Sequence, residues 1–386
     1  MYNEDIFNSM TIEGMLAGPG IKWHRDPPDV IPLWLADPDF PTAPGIKKML
    51  LNAVHDEDFL YGVSAPALEA MAEKVKRVNR LDVTRDNVMI TQGVIPGMWL
   101  AVRHACREGD EVIVTNPMYG PFYTSVEVTR TRPVYWKLDM DEGYRFNIER
   151  LKELVTPKTR LIFVCNPHNP CGRVMTEEEL KGIADVAVDN KIYVMVDELW
   201  EDIVYDGRRH IGLASLNPEI ADLTMTSWGF SKTWGVAGLQ LGYLVATNDV
   251  MMESLRNLAR GVMRGASTLA MAAAPVMLGE GLDYWKRDMI RHLEKIRELC
   301  YKRFAEMGGI TVPELQGTYL MFPKFDYGKT SDELDRFFFE EARVRLNPGS
   351  HFGTLGEGHM RVLMATSEAI MNEALDRIER ALAKLK

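Results

Sequence analysis

Apolar residues fall in short unbroken runs, separated by stretches where they recur every three or four positions. The runs Val88–Thr91, Glu111–Thr115, Pro133–Lys137, Arg160–Cys165, Lys191–Val196, Leu223–Ser227 and Leu239–Ala246 read as strands, several of them of the fully buried type. Ala67–Asn79, Ile95–Arg107 and Thr176–Asp189 carry the helical period. The last opens on Thr176 followed by Glu177, Glu178 and Glu179, an N-terminal signature in which a hydroxyl and a glutamate satisfy orphan backbone donors. Buried strands alternating with helices predict an α/β unit with a mostly parallel central sheet flanked by helices on both faces.

The pattern changes near Glu280. A charge-rich helix is predicted over Leu282–Met307, then short strands at Thr318–Phe322 and Met360–Leu363 and helices at Ser331–Ala342 and Ser367–Lys384. This reads as a smaller α+β domain. The first 45 residues contain Pro27, Pro28, Pro32, Pro38, Pro41 and Pro44 and are expected to be irregular, draped over the boundary between the domains. The expected division is therefore 1–45 as a segment contributing to the small domain and the active site, 46–280 as the large domain and 281–386 as the small one. The charge-free stretch Gly265–Gly279 is expected to be broken by Pro275 and is shorter than the ~18 apolar residues of a spanning helix.

Composition narrows the function classes. The chain has 386 residues, 46% of them hydrophobic and 26% charged, which fits a folded protein with a sizeable core and excludes disordered and fibrous classes. A net charge of -10 disfavours nucleic acid and anionic membrane as partners. The four cysteines, Cys106, Cys165, Cys171 and Cys300, form no CxxC pair and no disulfide framework, so a reducing cytoplasm is expected. The N-terminus has no signal-peptide pattern. The eight histidines form no cluster with ligand spacing, and no metal is expected.

In open α/β sheets ligands bind beyond the carboxyl ends of the strands. Four such ends stand out: Gln92-Gly93-Val94-Ile95, opening a helix; the polar turn Asn166–Gly172; Asp197-Glu198; and Trp228–Gly235, which holds Lys232. Singly, each has an ordinary reading as a turn, a cap or a surface lysine. Together they place an anion-binding helix start, a buried acid, a fixed amide and an apolar-flanked lysine at one edge. That set suits an electron-sink cofactor held on a lysine Schiff base.

The segment Gly229–Gly242 resembles the signature of class I/II aminotransferases, fold type I enzymes that use pyridoxal 5′-phosphate. Asn166–Gly172 resembles their NPxNPxG turn, and Asp197-Glu198 their DE motif; the likeness runs from about Ile31 to the C-terminus. The resemblance implies that Lys232 carries the cofactor and moves the proton at the substrate Cα. It implies that Asp197 pairs with the pyridine nitrogen, Asn169 meets the ring oxygen, Tyr119 stacks on the ring, and Gly93 and Val94 offer backbone N–H groups to the phosphate, with Ser231 or Ser227 helping. Tyr61 resembles a tyrosine that reaches a neighbouring subunit's phosphate, implying a homodimer, and Arg361 resembles the arginine that clamps the substrate carboxylate. Trp34, Ala36 and Asn169 are then expected beside the substrate.

Two positions depart from the common pattern. Gln240 stands where most members have an arginine on the phosphate, and Trp200 where most have a tyrosine on the ring oxygen. Gln240, and the Pro32–Phe40 segment around Trp34, resemble the cystathionine β-lyase branch. The expected activity is transfer between an L-amino acid and a 2-oxo acid; the alternative is a C–S β-lyase releasing thiol, pyruvate and ammonia. A non-catalytic binding protein on this fold would lack the lysine or the acid, whereas Lys232, Asp197, Asn169 and Arg361 are all present.

Overall fold

The computed structural model describes residues 4–263 and 265–385. Strand β1 (Ile31–Pro32) lies apart from the main sheet, which is built from β2 (Val88–Thr91), β3 (Glu111–Asn116), β4 (Arg132–Lys137), β5 (Thr159–Cys165), β6 (Tyr193–Asp197), β7 (Thr224–Gly229) and β8 (Gly242–Val245). Their order is β2-β8-β7-β6-β5-β3-β4. Only β8 runs against its neighbours. The carboxyl ends of the other six strands therefore share one edge with the start of β8.

Successive residues of the central strands enter opposite cores, as the period-2 geometry requires. Val112, Val114, Leu161 and Phe163 pack on one side, Ile113, Ile162, Val164 and Val194 on the other. Both faces are covered, which explains the unbroken apolar runs. The helix Glu177–Asn190 begins with the expected reciprocal cap: Thr176 Oγ1 accepts from Glu179 N–H at 3.2 Å, and Glu179 Oε2 from Thr176 N–H at 2.8 Å.

After this sheet, the helix Asp283–Met307 buries a stripe of Trp285, Met289, Leu293, Ile296, Cys300, Phe304 and Met307 at three- and four-residue spacing. A three-stranded antiparallel sheet follows, with Met360–Leu363 at its centre. The N-terminal segment is less irregular than its prolines suggest. It forms short helices at Ile12–Ala17 and Ile21–His24, and β1 pairs in parallel with Val344–Arg345. Leu33 continues this tie, donating to Arg345 O at 2.8 Å and accepting from Leu363 N–H at 3.0 Å.

Several boundaries differ from expectation. Pro275 does not break its segment but lies inside the helix Thr268–Leu278. That helix packs on Pro44–His55 and Ala65–Lys74, burying Ala270, Ala273, Ala274 and Met277. Tertiary burial outweighs the lost backbone bond. The strand expected from Leu239 starts only at Gly242, because Ala237–Leu239 is a helical turn and Gln240 adopts a left-handed φ of 48°. The strand expected over Thr318–Phe322 is reduced to Leu320–Met321. No helix among the described residues is long and apolar enough to cross a membrane.

At the sheet edge Gly242 sits against the Gly93 turn, and a Cβ added there would lie 2.7 Å from the Gly93 carbonyl carbon. Gly242→Ala should therefore displace that turn, at about 1–3 kcal/mol as for other overpacked sites. Gly238→Ala, where nothing lies within 4 Å, should be tolerated. Denaturant unfolding of the two variants checks this; equal stability would contradict the close approach.

Candidate active site

A cleft of about 430 Å³ opens at the edge where the strands end. Each strand-end motif reaches it because the parallel topology brings distant turns together. β2 leads into Gly93, whose φ of 86° is easily held by glycine, and on to the helix Ile95–Ala105. β3 leads to Tyr119, β5 to the turn carrying Asn169, β6 ends on Asp197, and β7 leads through Phe230 to the helical turn Ser231–Trp234 that bears Lys232. From the C-terminal sheet comes Arg361, and from the N-terminal segment come Trp34 and Ala36.

Lys232 Nζ donates to Ala36 O at 2.6 Å and lies 5.6 Å from the centre of the Trp200 ring. Burial pulls its pKa down to about 8, while Asp37 and Asp197 act the other way and Arg361 adds to the fall. Asp197 is buried, and its Oδ1 accepts from Leu199 N–H at 3.0 Å. Burial raises its pKa to about 7 against that hydrogen bond and the nearby Lys232. Arg361 donates to Asn169 Oδ1 at 3.1 Å and to Trp34 O at 3.0 Å. Burial lowers its pKa to about 10, so it is a cation at neutral pH. Burial also pushes the Tyr119 phenol up, so it is neutral there.

The cleft brings together Trp34, Ala36, Gly93, Val94, Tyr119, Asn169, Asp197, Trp200, Ser231, Lys232, Gln240 and Arg361. Ser227 lies elsewhere, and so does Tyr61, which the resemblance assigns to a neighbouring subunit's site. Ser227 is fully buried in β7 beneath the helix start, where a Cβ on Gly97 would come within 2.4 Å of its Oγ, and it does not line the cleft. Tyr61 is fully exposed among Phe59, Leu60 and Val63, beside a separate cavity of about 740 Å³. That cavity is larger and includes Arg256, but neither a lysine nor an acid lines it, so the chemistry belongs to the smaller cleft.

Trp200 replaces a hydroxyl with an indole set edge-on against Tyr319, ring centres 4.7 Å apart. Gln240 lines the cleft from its left-handed turn. Sequence reasoning missed Asn347, which lines the cleft because its strand pairs it opposite Arg361. Only the register of two very short strands could have revealed it. Glu198, Glu201 and His210 form a buried cluster with ligand atoms within 4.8 Å of one another. Glu201 is already held by Lys74, Asn79 Nδ2 at 2.6 Å and Trp228 Nε1 at 3.0 Å, and Glu198 by His210 at 3.2 Å. The cluster is an ion-pair network whose residues do not line the cleft.

The cleft's donors fit pyridoxal 5′-phosphate: an open glycine turn at a helix start for a phosphate, an acid in its depth, and a partly neutral lysine. Comparison with known proteins gives the same answer. The model of the family aminotransferase class I and II matches residues 37–378. The aspartate aminotransferase of Pyrococcus horikoshii is 33% identical over 360 residues, covering 92% of this chain and 91% of that one. The cystathionine beta-lyase of Corynebacterium glutamicum is 29% identical, covering 94% and 96%. A PLP-bound structure from Clostridium difficile superposes with a TM-score of 0.90 at 27% identity, covering 94% of this chain and 96% of that one. The chain belongs to the aminotransferase class I and II family of pyridoxal-phosphate enzymes, with fold type I.

Proposed function

We propose that this chain transfers the amino group of an L-amino acid to a 2-oxo acid, with Lys232 as the residue that holds the cofactor and moves the proton at the substrate Cα. The observation that carries this reading is the setting of Lys232: an amine brought to about 8 by burial, in one cleft with Asp197 and Arg361. When bound, pyridoxal 5′-phosphate supplies an electron sink for the pair left at Cα.

The residues divide the remaining work. Backbone N–H groups at Gly93, Val94 and the start of Ile95–Ala105, with Ser231, suit the phosphate. Gln240 adds a neutral amide where a cation is common, so the phosphate depends more on these backbone donors. Asp197, near 7 by itself, would be drawn to its carboxylate form by a cationic ring nitrogen held there. Asn169 offers its Oδ1 to Arg361, which leaves its amide N–H groups for the ring oxygen. Tyr119 provides a stacking face. The Arg361 guanidinium can exchange its contacts with Trp34 O and Asn169 Oδ1 for the two oxygens of a substrate carboxylate.

A second reading, β-elimination from a cysteine thioether, is favoured by Gln240 at the cleft and by the cystathionine beta-lyase among the relatives. Both reactions start with the same proton transfer. Purified enzyme should aminate 2-oxoglutarate from an amino-acid donor and release little pyruvate from cystathionine when no oxo acid is added. Pyruvate without an oxo acid, and no amination, would replace the first reading with the second.

The amine of Lys232 must be neutral to attack an aldehyde. Cofactor capture by the cofactor-free protein should therefore rise with pH through about 8. Asp37 favours the charged amine, so Asp37→Asn should move this midpoint to lower pH. A midpoint that stays near an ordinary lysine value, in stopped-flow absorbance, would contradict the assigned setting.

The division at about residues 45 and 280 and a cytoplasmic location are part of this proposal; four free, buried cysteines support the latter. So is a two-fold homodimer with sites served from both chains. Its support is the exposed apolar run around Tyr61, outside this chain's own cleft. Tyr61→Phe should weaken cofactor retention while the dimer persists in light scattering; unchanged retention would remove Tyr61 from the site.

A further inference from the structure

Lys22 is a buried cation that the reaction above leaves unused. It lies on the short helix Ile21–His24 and is only 5% exposed, against 1% for its partner Asp39. Its Nζ is 2.7 Å from Asp39 Oδ1 and donates to Asp37 O at 2.6 Å. Trp23 Nε1, from the same turn, donates to the same Asp39 oxygen at 2.7 Å. Asp39 N–H is fixed in turn on Ala365 O at 2.9 Å. Asp39 Oδ2 is buried without a hydrogen-bond partner, so this carboxylate depends on Lys22 and Trp23.

A buried ion pair is weak evidence for stability, because desolvating both charges offsets their attraction. What the pair can supply is a fixed geometry. The backbone it holds is the stretch from Trp34 to Asp39. Two carbonyls of that stretch touch the reaction centre: Trp34 O accepts from Arg361 at 3.0 Å, and Ala36 O from Lys232 at 2.6 Å.

We propose that the Lys22–Asp39 pair is a positioning device that sets both carbonyls at once, and thereby orients the arginine that receives the carboxylate and the lysine that moves the proton. Neither residue touches substrate. Leu33 already fastens the front of the segment to the C-terminal strands; Lys22 and Asp39 fasten its rear. With the rear released, the two carbonyls, two residues apart on one strand of chain, move together. The signature is thus a coupled change at two groups that belong to different elements. The proposal rests on the role given to Lys232 above.

The test uses the full chain carrying Lys22→Met or Asp39→Asn, without and with cofactor. Two quantities are read: the pH midpoint of cofactor capture by the cofactor-free form, in which Lys232 is the free amine seen here, and, on the cofactor-loaded form, the Kd of 3-phenylpropionate, a carboxylate with no amine to react. Both variants should weaken the Kd by roughly tenfold, the scale of one hydrogen bond to a charged group, and move the midpoint to lower pH as Lys232 loses its acceptor. Arg303→Met is the control: it breaks contacts to Asp376 and Glu379 far from the cleft and should lower Tm without moving either quantity. If Lys22→Met does not fold, Asp39→Asn alone decides. Variants that lower Tm but leave midpoint and Kd unchanged overturn the positioning role. A wild-type chain that takes up no cofactor overturns the proposed function instead, which separates the two failures.

Discussion

Desolvation of one lysine amine is the constraint on which the rest of the site depends. An ammonium group removed from water loses its advantage over the neutral amine, and Lys232 settles near 8. Left to burial and to the like charge of Arg361, it would fall further. Asp37 and Asp197 hold it back. The balance keeps the group close to the pH at which a base and nucleophile works best. The same burial lifts Asp197 to about 7, so acid and amine are poised against each other across the cleft.

Each partner in this balance comes from a different part of the chain. Asp197 ends a central strand, Lys232 follows the next strand, Arg361 comes from the C-terminal sheet, and the Ala36 and Trp34 carbonyls come from the N-terminal segment. The parallel sheet explains how the first two meet: β6 and β7 pair Asp197 directly with Ser227, so the turn after β7 overhangs the acid. The N-terminal segment explains how the third joins them. Its pairing with Val344–Arg345 and Leu363 sets it beside the strand of Arg361, and its carbonyls then bridge to the lysine.

Much of this was legible in the sequence because strand ends converge. The runs ending at Thr91, Cys165, Val196 and Ser227 were visible as apolar stretches, and the polar residues after them meet in space by topology alone. Lys22 and Asp39 were not legible. They are 17 positions apart in a proline-rich segment without periodicity, and only tertiary packing makes them partners. Asn347 escaped for a related reason, since two-residue strands leave no pattern. Ser227 does not line the cleft because its hydroxyl is buried against Gly97 of the helix Ile95–Ala105; Pro275 misled because burial on two neighbouring helices overrides local propensity.

The central claim is that Lys232 is the amine that joins the cofactor aldehyde. Borohydride reduction of the cofactor-loaded enzyme, followed by peptide mass spectrometry, tests it most directly. The account predicts a phosphopyridoxyl mass addition on the peptide containing Lys232, with loss of the visible absorbance. Protein that binds the cofactor but yields no modified Lys232, or carries the addition on another lysine, would contradict it.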